Sequence, residues 1–525
     1  MKHILGDRSG KLWIAAMVLA VLGFWGETGL GMIYRPVKSR SLWDVWVLHH
    51  EGLYYLYYLS ITGSDCDGIS LATSVDGVHW DEVGEVIEQA DDAVWCGGVA
   101  TFWKVNSTGQ DESGPQKFFT NFSEWRGPTK TTGQQAIFFA ESDDLVNWKH
   151  LGNKYEFKPD TRWYKIDDGV KSRWDGMCTI ERPGGGYYGY LTACSNQPDI
   201  ALARDGSTLS FGFAHSPDTL QWEALRPPEI EWEGKIDALT TTEKPAKAFR
   251  AMSVGDVQQI NGKIYLLNTT SAVLVADRPE GPFRPAARNL VLIPERKGRG
   301  NRFPRFVRAP EGLLYAHHDH GPAARVHCAP IKRVVGEEDG TIWLAYWNGN
   351  DKVKGPAIDL KLPEVAAEPR GLSMFENNFD TDRGVIVEGT MTLPSGPDEK
   401  SPGLAIECRG GEVVAIEVGP GGVTEIGVLN EDHLGFDRKG TFDREMEFGK
   451  TASFRLLLRS GLLEFYLGAP PTKQSALGGP MGEILIQCYA LPERASGKVG
   501  LVTGANKQAV RQVRAWEMSL PPVPE

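Results

Sequence analysis

Several common functional signatures are missing from this 525-residue chain, and each absence narrows its function. No glycine-rich phosphate loop stands out, so a nucleotide cofactor has no cradle. Basic charge is short: 56 Lys and Arg stand against 68 Asp and Glu, a net charge of −12, which excludes the basic face a nucleic-acid partner requires. The seven cysteines (Cys66, Cys96, Cys178, Cys194, Cys328, Cys408 and Cys488) form neither the close pairs of a zinc site nor a dense disulfide framework. We read most of them as buried thiols, and we expect neither a metal nor a cofactor.

Long apolar runs are also scarce. The one that stands out, Leu12–Trp25, follows Lys2, Arg8 and Lys11. It has the length of a signal-peptide core and is short for a membrane span. Residues 1–31 are therefore read as a signal peptide or N-terminal membrane anchor of an exported protein, whether secreted, periplasmic or membrane-anchored. If Met32 is the true start, the protein is cytoplasmic. No membrane contact is expected apart from that anchor, and no convincing long amphipathic helix follows residue 31.

What the chain does have is repetition, the first thing to seek in a long sequence. Ser74-Val-Asp76-Gly-Val-His-Trp80, Ser142-Asp-Asp144-Leu-Val-Asn-Trp148 and Ser216-Pro-Asp218-Thr-Leu-Gln-Trp222 share the pattern S-x-D-x-x-x-W. A short apolar segment precedes each, and a weaker counterpart ends at Phe283. Asp76, Asp144 and Asp218 are read as turn-formers. Between these motifs lie hairpins with a glycine turn and an aromatic second strand, such as WVLHHEGLYYLYYLS and VQQINGKIYLLNTT. Five such hairpins, each followed by a strand pair, make a five-bladed β-propeller over residues 32–355. Residues 356–370, with three prolines, read as a linker. Residues 371–525 lose the repeat and show continuous or alternating strands, the pattern of a β-sandwich. The predicted fold class is all-β, a five-bladed β-propeller followed by a C-terminal β-sandwich.

In a propeller the innermost strands surround a central funnel, so their first residues are the candidates for chemistry. These are Trp43-Asp44 in blade one, Trp95-Cys96-Gly97-Gly98 in blade two, Arg173-Trp174-Asp175-Gly176 in blade three, Ser253-Val-Gly-Asp256 in blade four and Phe303-Pro-Arg305 in blade five. Acidic groups recur at matching places beside aromatics or glycine. Sixteen tryptophans leave some free to stack on sugar rings. Glycoside hydrolysis needs two carboxyl groups flanking the scissile bond, one protonated and one ionised. His317-His318-Asp319-His320 looks like a metal cluster, but alternate strand residues face opposite ways. For His318 ordinary packing or solvation weighs above a metal or sugar role, and of those two a sugar contact is kept as the candidate.

Over residues 40–350 the organisation resembles the five-bladed propellers of glycoside hydrolase families 32 and 43. The closing segment FRLLLRSGLLEFYLG is similar to the family-32 sandwich. The resemblance implies a glycosidase acting on an oligo- or polysaccharide. It places the nucleophile or general base on Asp44, and the aspartate that holds the sugar and tunes the acid on Asp175. The general-acid glutamate falls on Ser253, so Asp256 is the candidate acid, with Glu124 as the other. Trp43, Trp95, Glu124, Trp125, Arg173, Trp174, Arg305 and His318 are the expected substrate contacts. No Asn-Asp-Pro-Asn motif surrounds Asp44, and Gly176 replaces the proline of the Arg-Asp-Pro type motif. The serine at 253 keeps a second reading open, a catalytically inactive carbohydrate-binding relative. A protein-interaction scaffold is disfavoured, because it has no need of funnel carboxylates.

Overall fold

The computed structural model describes residues 34–521, apart from residues 40–41, 62–65, 107–115, 128–133, 167–172, 197–208, 232–252, 270, 293–302, 321–325, 362–370, 431–435, 443–447, 449 and 504–508. The expected targeting segment lies outside the described residues. Among them the regular structure is almost entirely strand, and no helix is long and apolar enough to cross a membrane.

Each blade is an antiparallel meander of hairpin-linked strands. Blade one runs Leu42–His50, Leu53–Ser60, Gly68–Ser74 and Asp81–Glu88, hydrogen-bonded in chain order. Blades three and four repeat this with Trp174–Glu181, Tyr187–Cys194, Leu209–Ser216 and Glu223–Leu225, then Val254–Ile260, Lys263–Asn268, Ala272–Ala276 and Arg284–Leu290. Blade two splits its inner strand. Ala93–Cys96 and Phe102–Asn106 both pair with Gln116–Arg126, which is followed outward by Gln134–Ser142 and Trp148–His150. Blade five comprises Arg305–Ala309, Gly312–Ala316, Lys332–Gly336 and Ile342–Tyr346. Its inner strand packs beside that of blade one, which closes the ring.

The repeated S-x-D-x-x-x-W motif makes the turn between the third and fourth strands. Asp144 Oδ1 accepts the backbone N–H groups of Val146 (2.9 Å) and Asn147 (2.7 Å), and Ser142 Oγ accepts that of Leu145 (3.0 Å). The residue after the aspartate takes a left-handed conformation at Gly77, Leu145 and Thr219, with φ of 76°, 64° and 74°. The aspartate bonds hold Leu145 and Thr219 where glycine would otherwise be favoured.

Two six-strand layers form the sandwich. One orders Glu483–Ala490, Leu462–Gly468, Thr451–Arg459, Val385–Thr392, Val510–Met518 and Lys354–Ile358. The other orders Leu372–Met374, Ala495–Val502, Gly403–Cys408, Val413–Val418, Thr424–Leu429 and Phe436–Phe442. The linker expectation is corrected at its start. Pro356–Ile358 belongs to an edge strand, with Ala357 opposite Trp516 and Ile358 opposite Ala515. Proline is tolerated there because an edge strand leaves one row of backbone groups unpaired. Residues 362–370 lie outside the described residues.

The first sandwich layer is buried on both faces, which explains why FRLLLRSGLLEFYLG carries successive apolar residues such as Leu456–Leu458 instead of alternating. Leu456, Leu458, Leu463 and Phe465 enter the sandwich core with Leu404, Ile416 and Val499. The alternating Leu457, Tyr466 and Leu485 instead join the propeller core beside Tyr346 and Ile331. The contact extends to the ladder itself, where Ala345 of blade five pairs with Ile484. At its centre the buried Lys332 ammonium contacts Glu464 Oε1 and donates to Pro330 O (2.6 Å), with His317 Nε2 at 2.9 Å; Tyr466 O–H donates to Glu464 Oε2 (2.6 Å).

Removing one partner of this pair leaves an uncompensated charge between the propeller and the sandwich. Glu464→Ala is expected to destabilise the protein by roughly 3–5 kcal/mol, measured by denaturant unfolding. The double variant Lys332→Met/Glu464→Leu should recover most of that loss. Wild-type stability in Glu464→Ala would show that the pair does not hold the contact.

Candidate active site

The inner strands of blades one to four each begin with an irregularity that re-aims a side chain. In blade one a bulge interrupts the ladder between Trp43 and Trp46, and Asp44 sits in the left-handed region with φ 47°. Aspartate is among the few non-glycine residues that tolerate this, at a cost of about 1–3 kcal/mol. In blade three the bulge falls between Asp175 and Cys178, and Gly176 takes φ 51°. Proline, locked near −65°, could not stand at Gly176, so the departure from the family motif has a backbone cause.

These bulges bring Asp44 and Asp175 together over the Gly97-Gly98 pair of blade two. A Cβ on Gly98 would collide with the Asp44 carboxylate, and one on Gly97 would lie 2.8 Å from Asp175 Oδ1. The space a side chain would take at this pair is filled by the two carboxylates and Ser123 Oγ. Each is held by an arginine from its own side: Arg305 of blade five pairs with Asp44, and Arg173 pairs with Asp175. Ser123 Oγ bonds Asp175 Oδ1 and accepts from Gln135 Nε2 (3.1 Å), while Asn121 clamps Met177 through both its backbone groups (2.9 and 3.1 Å). Sequence reasoning missed Ser123, Gln135 and Asn121. The period-2 spacing of Asn121 and Ser123 on one strand face was the available signal.

Asp44 is only 5% exposed. Burial pushes its carboxyl up, the Arg305 charge opposes this, and the Asp175 charge adds to it, leaving it at about 6. Arg305 is itself buried, and its guanidinium lies 4.8 Å over the Trp46 ring. Trp43 forms an aromatic cluster with His318 (4.6 Å between ring centroids) and Phe303 (5.6 Å) beside Asp44. His318 faces this cluster while His317 and Asp319 face the sandwich, as alternation requires. His317, Glu464 and Cys488 lie close enough to share an ion, but the Lys332 ammonium already contacts two of the three.

Five expected contacts and the candidate acid are corrected. Arg305 (1% exposed) and His318 (0%) are too deeply buried to meet a sugar directly. Trp174 is 1% exposed and packs between Phe157 and Tyr164 (5.2 and 4.8 Å), because its neighbour Asp175 takes the funnel side. Glu124 lies on the face opposite Ser123, fully buried. It accepts from Ala90 N (2.9 Å) and Arg126 Nη2 (2.6 Å), with His150 Nε2 at 3.2 Å. Burial pushes its carboxyl up, but the bonds from His150, Arg126 and Ala90 outweigh this and hold it below the usual range. Trp125 is buried against the partly exposed Trp95 (6.4 Å). Asp256 is not poised as a free acid. A bulge after Val254 breaks the alternation, and its two oxygens accept the backbone N–H groups of Val257 and Phe306, each at 2.7 Å.

No protein-family model and no curated protein matches the chain. Solved structures do. The GH32 β-fructofuranosidase of Bombyx mori is 12% identical with a TM-score of 0.61, covering 98% of this chain and 99% of its own. Sucrose-6-phosphate hydrolase from Lactobacillus gasseri gives 12% and 0.62, covering 98% of each chain. A fructofuranosidase of Schwanniomyces occidentalis, complexed with fructosylnystose, gives 13% and 0.56, covering 94% and 98%. The fold is that of the GH32 enzymes. That likeness extends over the whole propeller and sandwich.

Two outcomes follow from this geometry. Gly98→Ala is expected to push Asp44 off Arg305 and lower the unfolding midpoint more than Gly84→Ala, although Gly84 has a φ of 116°. Asp44 and Asp256 both rise from an ordinary 3.8 to about 6, Asp256 through burial opposed by Arg305 and its backbone bonds. The native state therefore holds protons more tightly than the unfolded chain between about pH 4 and 6, and their contribution to stability falls as pH rises through that window. Asp44→Asn should flatten this part of the stability profile; an unchanged slope would place the titration elsewhere.

Proposed function

We propose that the funnel binds an oligo- or polysaccharide and cleaves its glycosyl bond, with Asp44 as nucleophile or general base and Asp175 as the group that holds the sugar. One observation supports this above the others. Two carboxylates from different blades meet over a glycine pair, each fixed by its own arginine. Asp44, at about 6, is ionised at neutral pH and desolvated, the state an attacking or proton-accepting carboxylate needs. Trp43 beside it is partly exposed and offers a ring face to a sugar, with the buried His318 packed behind it. Export, read from residues 1–31, fits a glycan substrate outside the cell.

A second reading is sugar binding without turnover. Ser253 stands where the acid is expected, and the oxygens of Asp256 are already committed to backbone N–H groups. Leaving groups that depart without a proton separate the two. Nitrophenyl glycosides should be turned over by the wild type, and Asp44→Asn should lower kcat/KM by at least about 10²–10⁴-fold with folding intact. The acidic limb of kcat/KM should lie near pH 6, activity rising as Asp44 ionises. Ser253→Glu tests the alternative. A gain on unactivated glycosides from a silent wild type would establish the non-catalytic reading. Full activity in Asp44→Asn would remove the catalytic role.

A further inference from the structure

We propose that the mouth of the propeller channel opposite the Asp44 funnel is a second, non-catalytic binding site for a neutral oligosaccharide. The inner strands all leave the funnel in the same sense. The positions that follow the site residues on each strand therefore surround the other end of the channel, at about 3.3 Å per residue. There they enclose a cavity of about 690 Å³, walled by Trp46–His49, Thr101–Lys104, Thr179–Glu181 with Tyr187, Asp256–Gln259 and Phe306–Arg308. This is within the roughly 300–1,000 Å³ of small-molecule sites.

The lining decides the ligand class. Phe102 and Tyr187 are half-buried and present aromatic surface at the wall. Around them stand the planar groups of Gln258, Arg308 and Glu181, which donate to and accept from vicinal hydroxyls. Arg308 Nη2 donates to Gln258 Oε1 (2.5 Å), which orients the amide. The accessible charges of the wall are of mixed sign, Lys104 and Arg308 beside Glu181, since Asp256 is buried with both oxygens on backbone N–H groups. Stacking surface, two-way hydrogen bonding and mixed charge together fit a sugar. Neither Asp44 nor Asp175 lines this cavity, and Arg305 lies over Trp46, one of its wall residues.

The choice of sugar as ligand rests in part on the reading of the funnel, and the test distinguishes the two. Raffinose and xylotriose are titrated calorimetrically into Asp44→Asn protein, which is not expected to consume them. They are titrated in parallel into that protein carrying Gln258→Ala and Arg308→Ala, or carrying Asp175→Ala. Two binding events are expected, one weakened at least tenfold by the Gln258/Arg308 pair and the other by Asp175→Ala. A single event sensitive only to Asp175→Ala overturns the second site and leaves the funnel reading standing. A single event sensitive only to Gln258 and Arg308 keeps the second site and counts against the funnel. No binding of either neutral trisaccharide, or preference for a uronate-bearing analogue at this mouth, overturns the ligand class.

Discussion

The buried pair between Asp44 and Arg305 is the constraint on which the rest of the funnel depends. It joins the first blade to the last, across the seam where the ring closes. Both partners are out of water, so neither can be lost without leaving a bare charge in a low-dielectric centre. Arg305 also lies over Trp46 and feels the charges of Asp256 and Asp175. One guanidinium thus bonds one carboxylate and sits in the field of two more. Asp175 belongs to the funnel with Asp44, and Asp256 is tied to backbone N–H groups of blades four and five.

The glycines beside this pair act by what they leave out. Gly97 and Gly98 do not need left-handed backbone; they are small because carboxylates occupy the space a side chain would take. Gly176 is different, since its positive φ follows from the bulge that aims Asp175. Against the family pattern, then, the proline-to-glycine change at 176 is compatible with an intact site, because the local backbone accounts for it. The serine at 253 has no such account.

The repeated elements were legible in the sequence because local chemistry makes them. The S-x-D-x-x-x-W turns are built from side chains bonding their own backbone, and the five hairpins carry their glycine turns within a few residues. Asp44 and Asp175 could be found because they recur at matching places in the repeat. The misreadings came from adjacency. Trp174 neighbours Asp175 and Glu124 neighbours Ser123, and on a strand a neighbour faces the other way. At Asp256 the opposite happened, because a bulge that no residue announces broke the alternation. The pairing of Lys332 with Glu464 joins positions 132 apart and could not be read from either segment alone.

The doubly buried sandwich layer also has a consequence for biosynthesis. Blade five is complete in sequence by Tyr346, yet its outer strand meets Ile484, and the faces of Ile331 and Tyr346 are covered only by later segments. A nascent chain leaving the ribosome therefore carries a finished ring with one apolar flank uncovered while the following segments are made. During that interval it presents the kind of surface that chaperones bind and that promotes aggregation. Expression of the ring without its C-terminal partner would make that transient state permanent.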